Sequence, residues 1–202
     1  MLIETSIYNQ EIVNGLLKDD SLKNQLINIP IIVLTGLNPE ENKYLPFTLE
    51  TIARQPGIIP RNVIVYYNSS FDSSISSLTN IFDFMSVDEI KDLNDINEIV
   101  STTELLFPSA KAMILIYKNV ILSPDFLPFM GQTVNYLMDP KLNILAVSAW
   151  NDNGYENIST IDNLIHKANI SNYLPRFGVM IKKENVFQDL MWPFSIDSKK
   201  LD

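Results

Sequence analysis

Few kinds of side chain are available in this chain to do chemistry. It has no cysteine and a single histidine, His166. That excludes disulfides, thiolate metal sites and a Cys nucleophile, and leaves little for a Ser–His triad or a His-rich metal centre. Polar residues instead gather in four clusters, each directly after an apolar run: Gly36-Leu37-Asn38, Asn68-Ser69-Ser70, Tyr117-Lys118-Asn119 and Trp150-Asn151-Asp152-Asn153-Gly154. Their position counts because ligands of open α/β sheets bind outside the carboxyl ends of the strands. Asp152 and Asp125 are the carboxylates nearest these strand ends that could act as a base. The glycine-rich dinucleotide fingerprint, the phosphate loop and the Gly-x-Ser-x-Gly elbow are all missing from a sequence with six glycines.

The elements that must hold these clusters can be read from periodicity. Apolar residues at helical spacing over 10–27 predict an amphipathic lead helix. The continuous run 29–34 has the pattern of a central strand buried on both faces. A helix is expected from Pro46 to about Arg54, closed by Pro56-Gly57. The β-branched and aromatic stretch 62–67 predicts a second strand, followed by a Ser-rich loop over 68–77. The acid-rich stretch 86–98 reads as a solvated face. A helix over 98–106 leads to a third strand at 111–117, then a helix capped by Ser123 with Pro124 in its first turn, ending near Asp139-Pro140. Strands at 142–150 and 178–181 and a helix at 184–190 complete the pattern. Strands alternating with helices predict an α/β fold with a mostly parallel sheet and helices on both faces. Phe126, Phe129, Leu137, Met130, Met138, Met180 and Met191 are read as packing residues, and His166 as a surface helix residue.

Composition bounds the function further. The 202 residues carry 15 Lys+Arg against 24 Asp+Glu, a formal charge of −9, which argues against nucleic acid as a partner. A 46% hydrophobic fraction with aromatic residues throughout suffices for a sizeable core. No stretch reaches the ~18 apolar residues that span a bilayer, and no basic, apolar leader opens the chain. The expected organisation is a lead helix (1–28), a single body (29–194) and a polar tail (195–202).

The run Val147-Ser148-Ala149-Trp150-Asn151-Asp152-Asn153-Gly154-Tyr155-Glu156 resembles the segment that marks the family 13 glycosyltransferases, the β-1,2-N-acetylglucosaminyltransferases. Ile29-Pro30-Ile31-Ile32-Val33 is similar to that family's first strand. Phe107-Pro108-Ser109-Ala110-Lys111, Asp125-Phe126, Leu174-Pro175, Gly178 and Trp192-Pro193 fit its downstream pattern, with the O-linked-mannose branch the nearer in sequence. The resemblance implies a GT-A fold, a Rossmann-like sheet that takes a UDP-sugar, and a Golgi setting. In active members it further implies an acidic triplet after the third strand holding Mn²⁺ on the diphosphate. An Arg and an Asp after the first two strands would bind the nucleotide, and a carboxylate beyond the Trp-Pro would serve as base.

Position by position, those charged parts are replaced. The acidic triplet falls on Tyr117, Lys118 and Asn119, the nucleotide Arg on Asn38 and the nucleotide Asp on Asn68. Trp192-Pro193 is followed by Phe194-Ser195-Ile196-Asp197. The nucleotide-sugar site by position is therefore Asn38, Asn68, Tyr117, Lys118, Asn119, Trp150, Asn151 and Asp152, with no metal ligands and no cofactor expected. The favoured reading is a non-catalytic transferase-like domain that binds or scaffolds, with a UDP-sugar, a glycan or a protein as partner. The alternative is a metal-independent transferase in which Lys118 replaces the metal as counter-charge to a diphosphate and Asp152 is the catalytic residue. An unrelated α/β domain is the third reading.

Overall fold

The computed structural model describes residues 25–70, 72–88, 96–149 and 178–183. Gln25 and Leu26 are helical; the rest of the expected lead helix, and the expected helix at 184–190, lie outside the described residues. The first strand, β1, spans Ile31–Leu34, and is buried at every position. It is followed by α1 (Leu45–Ala53), a 3₁₀ turn (Pro60–Asn62) and β2 (Val63–Tyr66). Then come α2 (Ile75–Ile81), β3 (Met85–Val87), α3 (Ile96–Leu106), β4 (Ala112–Tyr117), α4 (Phe126–Met138), β5 (Ala146–Ser148) and β6 (Val179–Lys182).

The six strands of the described residues form one sheet in the order β3-β2-β1-β4-β6-β5. β1 runs parallel to β2 and β4, and β2 parallel to β3. Among the described strands β6 alone is reversed, antiparallel to both β4 and β5. The expected α/β class and mostly parallel sheet are therefore present.

Alternation along the strands splits the core into two layers. Ile31, Val33, Val63, Val65, Ile114 and Ile116 pack with α1 and α4 on one face. Ile32, Leu34, Ile64, Tyr66, Met113 and Leu115 pack with Ile99 and Val100 of α3 on the other. Each such side chain, taken fully out of water, contributes about 1.5–3 kcal/mol. This is why the central runs show no polar alternation: both faces are covered.

The helices follow from the same bookkeeping of faces. α1 buries Leu45, Leu49 and Ile52, at helical spacing, and carries Pro46 in its first turn, where no intrahelical N–H is needed. Gly57, with φ 76°, lets the chain reverse after it. α4 buries Phe126, Leu127, Met130, Val134 and Leu137. Among the described residues no helix is long and apolar enough to cross a membrane.

Several expectations are corrected. Residues 75–77 of the supposed Ser-rich loop belong to α2, because Ile75 and Leu78 reach the core and outweigh the weak helix propensity of serine. The acid-rich stretch opens with a strand, β3, whose three residues pair with β2. The strand expected over 142–150 shrinks to 146–148. Leu142 and Leu145 are exposed and Asn143 takes φ 48°, so that part is turn rather than sheet. α4 starts at Phe126 with Asp125 at its N-cap position, and the Ser123 hydroxyl bonds the Asp125 carboxylate instead of capping the helix. Phe129, read as core, is over a third exposed, whereas Phe126, Met130, Leu137 and Met180 are buried as expected. Met191 and His166 lie outside the described residues.

Candidate functional site

Register brings the strand ends to one level. Leu34 of β1 lies opposite Tyr66 of β2 and Tyr117 of β4, and Tyr66 lies opposite Val87 of β3. The ladder continues one step further through Thr35 N–H to Tyr66 C=O (3.3 Å), Lys118 N–H to Leu34 C=O (2.9 Å) and Tyr67 N–H to Val87 C=O (3.1 Å). Beyond that step the chain diverges into loops. Gly36, Asn68, Lys118 and Asp88 consequently emerge along one carboxyl edge.

The loop after β1 folds back on itself. Asn42 Oδ1 accepts the Gly36 N–H at 2.6 Å, and its Nδ2 donates to the Gly36 carbonyl (3.4 Å) and to Asp72 Oδ2 (3.3 Å). Asn38 Oδ1 accepts the Glu41 N–H (2.9 Å), and Asn38 Nδ2 donates to Glu41 Oε1 (2.9 Å). This reciprocal pairing over three residues has the logic of a capping box, with an amide donating in place of the backbone. The other oxygen of the same carboxylate, Oε2, accepts the Leu37 N–H at 3.3 Å and pairs with the Lys118 ammonium.

The residue after Lys118 ties the end of β4 to the same loop. Asn119 takes the left-handed conformation, φ 64°, which asparagine tolerates better than most residues. Its Nδ2 donates to the Glu41 carbonyl (2.8 Å) and its Oδ1 accepts the Tyr44 N–H (3.1 Å). Partial burial pulls the Lys118 ammonium below the usual lysine range. The adjacent carboxylate opposes that pull and favours the charged form. Gly36 is tight against the pair. A Cβ there would clash with Glu41 Cβ and stand 2.9 Å from both Glu41 Oε2 and Lys118 Nζ. One residue earlier, the buried Thr35 hydroxyl has no hydrogen-bond partner among the described residues.

Asn68 sits across the edge, after β2. Its Oδ1 accepts the Ser70 N–H (2.9 Å) and its carbonyl accepts the Asp72 N–H (3.2 Å). Asp88 accepts the Ser69 N–H (2.8 Å), tying this loop to the end of β3. Asp125 lines a separate, mostly apolar cavity of about 310 Å³ with Ile121, Phe126, Phe129, Ala149 and Gly178. Gly178 has φ 61°, and a Cβ on it would stand 2.6 Å from the Phe126 ring.

Of the residues singled out from sequence, Asn38, Lys118 and Asn119 converge, and Tyr117 ends the strand that carries them. Asn68 lies on the neighbouring loop, linked to them through Asp72 and Asn42. Trp150, Asn151 and Asp152 lie outside the described residues. The sequence reading missed Glu41, on which the cluster is centred, together with Asn42, Asp72 and Asp88. The Asn38-x-x-Glu41 spacing was the available signal, since a capping-box pattern fixes a carboxylate over the start of a turn.

The donor set does not suit a divalent cation at this point. Such ions require several hard, preferably anionic oxygens, and Tyr117-Lys118-Asn119 supplies an ammonium already paired with Glu41. At the end of β4 the edge holds a charge-balanced, interlocked ion pair instead of an open acidic cluster.

Two comparisons bear on these observations. The GNT-I family matches residues 104–196, just under half of the chain. That span runs from the last turn of α3 through β4, α4, β5 and β6, and leaves the Glu41 loop outside it. The chain is thus related to the family 13 N-acetylglucosaminyltransferases, divergently and in part. Among solved structures, it is similar to a 4-diphosphocytidyl-2C-methyl-D-erythritol synthase from Anaerococcus prevotii. The identity is 15% and the TM-score 0.43, covering 80% of this chain and 73% of that one. A likeness of that degree says nothing about chemistry.

Proposed function

We propose that this N-acetylglucosaminyltransferase-like domain is non-catalytic and serves as a binding or scaffolding module. The observation that carries the reading is the Glu41–Lys118 ion pair at the carboxyl edge of β1 and β4. By resemblance, active relatives place acidic metal ligands after this strand to hold Mn²⁺ against the departing diphosphate. Here an ammonium replaces them, and a carboxylate from the preceding loop neutralises it. The nucleotide-contacting Arg and Asp of the family correspond to Asn38 and Asn68, which hydrogen-bond within their own loops.

The rival reading, a transferase using Lys118 as counter-charge, needs that ammonium available to a diphosphate. Its pairing with Glu41 weighs against this, because an anion would have to displace a carboxylate bound by charge and by two further donors. A glycan, a protein partner or a UDP-sugar held without turnover remain the ligands in keeping with a binding role.

Calorimetric titration of the whole chain with UDP and UDP-N-acetylglucosamine, with and without Mn²⁺, tests the proposal. The expected result is no gain in affinity from Mn²⁺ and no sugar transfer or UDP release in a parallel assay. Mn²⁺-dependent binding, or transfer to any acceptor, overturns it. Metal-free binding and turnover that vanish in Lys118→Ala would establish the rival.

A further inference from the structure

We infer that the Glu41 carboxylate is an internal occupant of an oxyanion seat, and that the seat takes a phosphate-type anion once Glu41 is withdrawn. The inference builds on the reading of this edge as a remnant nucleotide-sugar site, and names how that site is kept closed.

The geometry is that of a bound anion. One carboxylate receives the Leu37 backbone N–H (3.3 Å), the Asn38 side-chain amide (2.9 Å) and the Lys118 ammonium. A backbone amide, a side-chain amide and an ammonium converging on one group form the set of donors that recognises phosphate oxygens. They come from two different segments, the loop after β1 and the end of β4. Ordinary surface ion pairs are single contacts between flexible side chains. This carboxylate is instead shaped into place from several directions. Asn38 and Asn42 hold the turn, Asn119 bonds the Glu41 carbonyl (2.8 Å), and residue 36 has no room for a Cβ beside the pair.

The charges around the seat explain why it stays closed to outside anions. Glu41 neutralises Lys118, and Asp72 lies on the far side of Asn42, bonded at 3.3 Å to its Nδ2 and to the Ser74 N–H (3.1 Å). Removing the Glu41 charge leaves Lys118 as the uncompensated cation while keeping the two amide donors.

The probe is inorganic pyrophosphate, titrated calorimetrically in the presence of a chelator, with neither nucleotide nor Mn²⁺. Leaving both out separates this experiment from the test of the functional reading. Glu41→Gln is expected to bind pyrophosphate at least about tenfold more tightly than the wild type. Adding Lys118→Met to that variant should abolish the gain. Equal affinity in Glu41→Gln and wild type, with circular dichroism unchanged, overturns the inference. So does a gain that survives Lys118→Met. A second measurement needs no substitution, in case Glu41→Gln does not fold. In ¹⁵N-labelled wild type, high pyrophosphate must compete with Glu41, so the resonances of the Leu37 amide and the Asn38 side-chain amide should move first. Shifts confined to other residues, or none, count against the seat.

Discussion

Tyr66 is fully buried at the end of β2, with its phenol among the side chains of α3. The Tyr66 hydroxyl and Thr103 Oγ1 share a 2.7 Å hydrogen bond in which either can donate, and the Ile99 carbonyl is within reach of both hydroxyls, 2.7 Å from Thr103 and 3.4 Å from Tyr66. Burial pushes the Tyr66 phenol from 10.0 up to about 12, with the Thr103 bond a smaller opposing effect. The native state therefore holds a proton that the unfolded chain releases first. Its contribution to stability is intact below pH 10 and is lost as pH rises towards about 12. Tyr66→Phe should cost about 1 kcal/mol at neutral pH. Urea titrations from pH 8 to 12 should then show a shallower alkaline decline in the variant than in the wild type. Parallel declines would mean that Tyr66 does not titrate as its burial requires. Nothing in the sequence distinguishes this tyrosine from Tyr67 beside it, because only the register with α3 sets which of the two meets Thr103. Glu41 was hidden for a related reason. It belongs to a loop that periodicity does not describe, and its partner Lys118 lies 77 positions away.

Between the elements, Gln55 has a role that helix patterns alone would not suggest. It follows α1 and is buried, with Nε2 donating to the Ser123 carbonyl (2.9 Å) and the Thr51 carbonyl (3.2 Å). Its Oε1 accepts the Leu127 N–H at 3.0 Å. Leu127 lies in the first turn of α4, whose N-cap Asp125 makes no side-chain capping bond. Gln55 thus caps α4 from the turn that follows α1, satisfying a donor that the helix cannot satisfy itself. Gln55→Ala should destabilise the fold by about 2 kcal/mol, since it leaves the Leu127 N–H buried without its acceptor. Gln55→Glu, which keeps the acceptor and loses the donor, should fall between that variant and the wild type in urea denaturation. The apolar runs at β1, β2 and β4 were legible because strands covered on both faces carry no polar residues. β3 was not, since three residues in an acidic stretch carry too little pattern to outweigh their charged surroundings. Nor was α2, where Ser-rich composition signals a loop and only the packing of Ile75 and Leu78 makes a helix.

Across the whole molecule, strand order and direction are what local patterns leave undetermined. The reversed β6 enters between β4 and β5, although β5 precedes it in the chain. Its Val179, Met180 and Ile181 are as apolar as a parallel core strand, so composition carries no mark of direction. This topology leaves β3 and β5 at the two edges of the sheet. β1 and β4 sit at the centre, with side chains buried into layers on both faces. β3 and β5 are only partly covered along their lengths. An edge strand has one row of backbone groups without a sheet partner, and partial cover means that little apolar contact is lost when it opens. Native-state hydrogen exchange should therefore protect the amides of β1, β2, β4 and β6 up to the global unfolding free energy. The paired amides of β3 and β5 should exchange through local openings at visibly lower free energy. If β5 were protected as strongly as β4, the sheet would have to extend beyond it or be covered there. The Glu41 loop links the two levels of protection. It hangs from β1 and is bonded to residues following β4, so its amides should exchange more slowly than those of the loop joining α4 to β5. Glu41→Gln should accelerate the Leu37 amide, whose acceptor is Glu41 Oε2, while leaving Ile32 and Val33 unchanged. Acceleration spreading into β1 would mean that the ion pair braces the sheet itself rather than only closing its edge.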